Sequence, residues 1–247
     1  MTVATDCQSA FLMFSQTTCD EVAGTVQLLH RYFDSDNMPN IQKLGGIAAF
    51  INAAVAVTTL MVAVFAIGLS ALANPSKLVD LAIHNPAPLL VQDFLKLVSA
   101  AISGVLILTF CNRLHDRTPK LILVATVFGC SSVVCLVANA AFSIYAIFQV
   151  AVNAGGTLAA GDRLNSLIGL LAIATIMLDG LWFLLVSWSA LQSDRLPKLL
   201  SYIGLGMGFL SLVPPLGIVV LTLSVLWSVL LGQILLQESR STDKKAE

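Results

Sequence analysis

Long apolar runs joined by short polar segments make up most of the chain. Runs with few or no charges cover residues 46–72, 90–112, 121–148 and 164–191. Each reaches the ~20 apolar residues that an α-helix needs to cross a bilayer. Beyond Lys198 comes a stretch of 39 residues without a charge, 199–237. That is too long for one crossing and just enough for two. Pro214 and Pro215 divide it, because neither ring can donate a helix hydrogen bond and each restricts the residue before it. A short fifth helix over 199–213 and a sixth over 216–236 are predicted. The fold class expected is all-α, a polytopic membrane bundle of six transmembrane helices.

The basic residues test this count. Arg31 and Lys43 precede the first run, and Arg113, Arg117 and Lys120 lie between the second and third. Arg195 and Lys198 separate the fourth from the fifth, and Arg240, Lys244 and Lys245 follow the sixth. Six crossings put these ten on one side and leave Lys77, Lys96 and Arg163 on the other. Five would strand the basic C-terminal segment. By the positive-inside rule, both termini are expected in the cytoplasm, with the chain in the cell (inner) membrane.

Three domains follow from this pattern. Residues 1–43 are expected to form a cytoplasmic segment with an amphipathic surface helix, 44–237 the transmembrane domain and 238–247 a cytoplasmic tail. Thr18-Cys-Asp-Glu21 reads as a capping box, and Val22, Val26, Leu29 and Phe33 recur at helical spacing behind it. Such a helix fits a membrane surface or a partner's groove. On the other side, residues 76–84 predict a short helix closed by Pro86 and Pro88, and Asn153-Ala-Gly-Gly-Thr157 a glycine turn. The opening residues MTVATDCQSAFLMFSQ lack the basic start and apolar length of a secretory signal.

Composition agrees and narrows the function. Hydrophobic residues make up 57% of the 247 and charged residues 11%, with mean hydropathy +0.88. Soluble domains carry roughly 25% charged residues, too many to match this chain. A net charge of −1 argues against nucleic acid as a partner. The lipid bilayer is the expected partner, with a membrane protein or a second copy beside it. The five cysteines show no CxxC and read as reduced, buried, small apolar residues. No histidine falls at mid-membrane depth, so neither a haem nor any other cofactor is expected. No GxSxG, HExxH or Walker sequence is present, and the reading leans away from an enzyme.

One ionisable residue stands deep inside an apolar run. Asp179 is halfway along the fourth, with Thr175 one turn before it and Gly180 beside it, where another backbone can approach closely. Intramembrane charges are costly and mark sites of function by default. With no Lys, Arg or His expected at that depth, Asp179 should have no salt bridge and be protonated. Ser131, Cys135, Asn139 and Ser143 form an i+4 ladder on the third helix, and Cys135 and Asn139 are expected near its depth. Asn52 and Thr59 on the first helix complete the candidate set, so the first, third and fourth helices should share a polar interior. The alternative is that these groups, with Gly45, Ala49, Ala53, Gly204 and Gly208, simply pack helices. Asp93 and Lys96 read as an interfacial pair in which Lys96 snorkels outward. Trp182 and Trp188 read as membrane anchors.

The segment LNSLIGLLAIATIMLDGLWFLLVSWSALQSDRLPKLLSYIGLGMGFLSLVPPLG combines Gly-Leu-Trp, Ser-Trp-Ser-Ala-Leu, an Arg-Leu-Pro-Lys turn and a glycine-rich helix. It resembles a bacterial family of small six-helix integral membrane proteins classed as a domain of unknown function. The likeness spans about residues 43–238 and implies six crossings; it carries over no activity and no site residue. The leading functional expectation is a non-enzymatic structural or accessory subunit or a small-ligand binder. A small transporter or channel using a protonated Asp179 is the alternative, and an integral-membrane enzyme the third.

Overall fold

The computed structural model describes residues 38–68, 75–114, 118–152, 158–193, 196–213 and 216–246. The amphipathic helix expected over 18–33, the Asn153–Thr157 turn and Pro214–Pro215 lie outside them. Residues from Gln42 onward form one compact unit. The described chain is helical throughout: α1 (Met38–Met61), α2 (Pro75–His84), α3 (Ala87–Leu114), α4 (Pro119–Val152), α5 (Leu158–Ser193), α6 (Lys198–Ser211) and α7 (Gly217–Ala246). Among the described residues there is no strand.

Five of these helices carry stretches long and apolar enough to cross a membrane: Lys43–Ile67, Ala87–Leu114, Pro119–Gln149, Arg163–Ser193 and Val219–Gln237. α6 is shorter. Its 14 residues rise about 21 Å at 1.5 Å each, against a hydrocarbon core of ~30 Å. It begins after Pro197, whose φ of −53° and extended ψ of 133° stop the helix from starting sooner. Its end is closed by 3₁₀-type bonds from the Leu212 and Val213 amides to Phe209 and Leu210 carbonyls, at 3.2 and 3.1 Å. α1 leads into a π-helical turn, Val62–Ile67, closed by the Gly68 amide on the Ala63 carbonyl at 3.0 Å. Gly68 has φ 85°, a left-handed value that a side chain would disfavour, and the helix stops there. The first run thus leaves its helical path earlier than residue 72.

From α3 onward, neighbours in sequence are neighbours in space and run antiparallel, whereas α2 packs on α4. α1 meets α3 where a Cβ on Gly45 would lie 2.6 Å from Thr109 Cγ2. α3 meets α4 at Ile107 and Gly129, α4 meets α5 at Ser132 and Thr175, and α5 meets α6 at Gly180 and Gly208. α6 meets α7 at Gly204 and Trp227, and α7 returns to α1 at Gly232 and Gly46. The last contact puts the far end of α7 beside the start of α1. Lys43, Arg113, Lys120 and Lys198 therefore gather at one end of the bundle, the Lys43 end. Lys96 and Arg163 lie toward the other.

Four rings fill the middle. Phe110 of α3 stacks on Trp227 of α7 at 5.8 Å between centroids, and Phe183 of α5 meets Trp227 edge-on at 5.0 Å. Trp182 touches both Phe110, at 5.9 Å, and Phe183, at 4.9 Å. Edge-to-face pairs of this kind add to area burial because ring edges and faces carry opposite partial charge. Trp182 is 5% exposed, so it is a core residue and not the membrane anchor its neighbourhood predicted; Trp188, 51% exposed, has the outward position expected. The bundle's outer surface is apolar, with Phe65, Val134, Leu170 and Phe209 among its most exposed side chains. The thiols also differ from expectation. Cys111, Cys130 and Cys135 are free, but none is fully buried and Cys130 is exposed on that apolar surface.

Candidate functional site

Asp179 opens into a cavity of about 80 Å³ between α3, α4 and α5. Ser99, Ser103 and Ile107 line it from α3, Gly129, Ser132, Val133 and Leu136 from α4, and Thr175, Asp179 and Trp182 from α5. Four hydroxyls and one carboxyl thus converge at a place otherwise walled by apolar groups. A water molecule needs about 10–15 Å³ of such space and two or more polar partners. The cavity has room for several, or for one small polar solute.

The carboxyl of Asp179 has no hydrogen bond or ion pair to another described residue. The hydroxyls around it are partly occupied. Thr175 Oγ1 donates to the Leu171 carbonyl at 2.8 Å, and Ser132 Oγ to the Thr175 carbonyl at 3.3 Å. Each keeps oxygen lone pairs free to accept. On the opposite side of α5, Gly180 is pressed against α6. A methyl group there would lie 3.1 Å from the Gly208 carbonyl oxygen, the close backbone approach expected from a glycine beside Asp179.

A second polar cluster stands at the Lys96 end of the same three helices. Lys96 Nζ donates to Asp93 Oδ1 at 2.8 Å and to Asn139 Oδ1 of α4 at 3.0 Å. Asn139 Nδ2 in turn donates to the Ile168 carbonyl of α5 at 2.8 Å. Lys96 therefore turns inward, not outward to an interface as expected. Its partner is buried, Asp93 being only 2% exposed, so the ion pair is shielded from solvent. Oδ2 of Asp93 is buried too and accepts no hydrogen bond.

The candidate set divides accordingly. Asp179 and Thr175 share the cavity. Asn139 belongs to the Lys96 cluster, two turns away from Ser132 along α4. Cys135 is half-buried and is not among the residues lining the cavity. Asn52 donates to Ser228 of α7 at 3.0 Å, and Thr59 back-bonds to the Val55 carbonyl at 2.8 Å. Both lie away from Asp179. The polar interior is thus made by α3, α4 and α5, and α1 is not part of it. The i+4 ladder failed for a geometric reason: four residues turn a helix by about 400°, so each step drifts by about 40°. The face that meets α3 and α5 follows Gly129, Ser132, Leu136 and Asn139, at the 3.6-residue period. The missed stripe, Lys96, Ser99 and Ser103, has that same period on α3.

Compared with protein-family models, curated proteins and solved structures, the chain finds no match in any of the three. Among the described residues, no group of three or more His, Cys, Asp or Glu could hold a metal ion.

Proposed function

We propose that this chain is a multi-pass membrane protein of six crossings that binds a proton or a small polar solute at Asp179. The observation behind this reading is a carboxyl without a partner among the described residues, facing a cavity that four hydroxyls also line inside an otherwise apolar bundle. Were Asp179 only a link between helices, its oxygens would be satisfied by a neighbouring helix, as the carboxamide of Asn139 is by α3 and α5. One carboxyl among hydroxyls makes a binding set more than an acid–base pair, and the reading is non-enzymatic.

Both termini on the cytoplasmic face of the inner membrane complete the proposal. Supporting it, ten of the thirteen basic residues fall on one side when α6 counts as a short crossing. The return of α7 to the start of α1 also fits an even number of passes.

The test is chemical. A hydrophobic carbodiimide applied to the purified protein in lipid should modify Asp179, and a small polar solute that occupies the cavity should protect it. In proteoliposomes, Asp179→Asn should keep fold and yield but lose any solute binding or pH-driven flux that the wild type shows. An Asn variant equal to wild type in each assay would return Asp179 to a packing role.

A further inference from the structure

The Lys96 cluster sits one helical turn from the Asp179 cavity. Ser99, in the cavity wall, follows Lys96 by three residues on α3, and Leu136, also in the wall, precedes Asn139 by three on α4. Three residues rise about 4.5 Å. The cluster also ties together the three helices that enclose the cavity: α3 through Lys96, α4 through Asn139 and α5 through the Ile168 carbonyl. Among the described residues, Asp93 and Lys96 are its charges. From α4 and α5 the facing groups are neutral, a carboxamide and a carbonyl. The pair is thus balanced, and removing either partner would leave an uncompensated charge of known sign close to the cavity.

The buried oxygen of Asp93 adds an independent sign. Native structures rarely leave such an acceptor unmatched, and a bound water is the usual partner. We propose that the Asp93–Lys96–Asn139 cluster is a charge-balanced cap over the Asp179 cavity, the point through which water and small cations enter it. This rests on the reading of Asp179 as a binding site and adds to it a route and the residues that control it. Lys96 and Asp93 here are positioning residues; the group that would hold the proton or solute is Asp179.

The sign of the charge gives the test. In a chain whose five native cysteines are replaced by alanine, Ser103→Cys places a thiol in the cavity wall. Silver ion, small and cationic, is added as nitrate to the purified protein in mild detergent. The thiol left unreacted is counted with a maleimide after denaturation. Lys96→Met leaves Asp93 unbalanced and should speed the reaction roughly tenfold, the effect of a unit charge about 10 Å away at an effective dielectric near 20. Asp93→Asn leaves Lys96 unbalanced and should slow it by a similar factor. The double variant should return close to the parent rate. If Lys96→Met does not purify as a single species, Asp93→Asn decides alone. Equal rates in all variants overturn the cap. Carbodiimide modification of Asp179, measured separately, keeps the two proposals apart. A modified Asp179 with rates blind to Asp93 and Lys96 sinks the cap alone, whereas charge-dependent rates with an unreactive Asp179 sink the binding site alone.

Discussion

Gly180→Ala puts a methyl group where α5 and α6 touch, one residue from Asp179. The new carbon would lie 2.7 Å from Ser211 Cβ and 3.1 Å from the Gly208 carbonyl oxygen. Carbon atoms in contact rest about 3.5–4.0 Å apart, so the helices must part by about 1 Å. Neither obstacle can swing aside. One is backbone, and the other is one bond from it on a serine whose Oγ is tied to the Met207 carbonyl at 2.9 Å. Overpacking of this kind costs about 1–3 kcal/mol, and alanine's better helix propensity returns up to about 1 kcal/mol. The net loss is about 1–2 kcal/mol. For a chain of this size that lowers the melting temperature by about 2–8 °C. Gly206→Ala, on the facing helix α6, is the control: nothing lies within 4 Å of its added carbon. It should melt at or above wild type. Tryptophan fluorescence during heating in detergent reads both. Equal melting of the two variants would refute the α5–α6 contact.

Asn139→Leu should cost about 1–3 kcal/mol by the same assay, because it removes the two bonds that join α3, α4 and α5; an unchanged melt would dissolve that link. Phe183→Ala, from the ring cluster, should lose about 3–5 kcal/mol. Phe65→Ala, at 81% exposure, should stay within about 0.5 kcal/mol, and reversal of this order would contradict the core assignment. In sealed vesicles, a cysteine at Lys77 should react with an impermeant thiol reagent from outside and one at Lys198 only after permeabilisation; same-side labelling would overturn the topology.

Most of the fold was legible because crossing a bilayer imposes a length that composition displays directly. The helices α3, α4 and α5 fall on the predicted runs with their ends extended by a few residues. α6 starts one residue before the predicted fifth helix and ends two before its end, since Pro197 and the Pro214–Pro215 pair bracket it in the sequence itself. The candidate site was legible only in part. Asp179 stood out through depth, and Thr175 through helical spacing. Their surroundings did not, because which face of an apolar helix meets which neighbour is decided by small residues that look alike in sequence. Gly129 admits Trp182, and Gly45 admits Thr109; no rule of spacing ranks one glycine over another. Lys96 was misread for a related reason. Near a helix end a lysine can turn out to the interface or in to a buried carboxylate, and the choice depends on Asn139 from a different helix.

Trp182 and Trp227 offer the closest look at whether the carboxyl of Asp179 meets water. Both are buried, at 5% and 2% exposure, and both belong to the same ring cluster. Trp182 alone of the two lines the cavity. Brief X-ray radiolysis makes hydroxyl radicals from water in place, and mass spectrometry then gives the oxidation rate of each indole. A cavity holding water beside Asp179 predicts faster oxidation of Trp182 than of Trp227, with the excess lost in Asp179→Leu, which fills and dries the site. Equal, slow oxidation of both tryptophans in the wild type would mean that the cavity is dry and that Asp179 has no aqueous partner to exchange with.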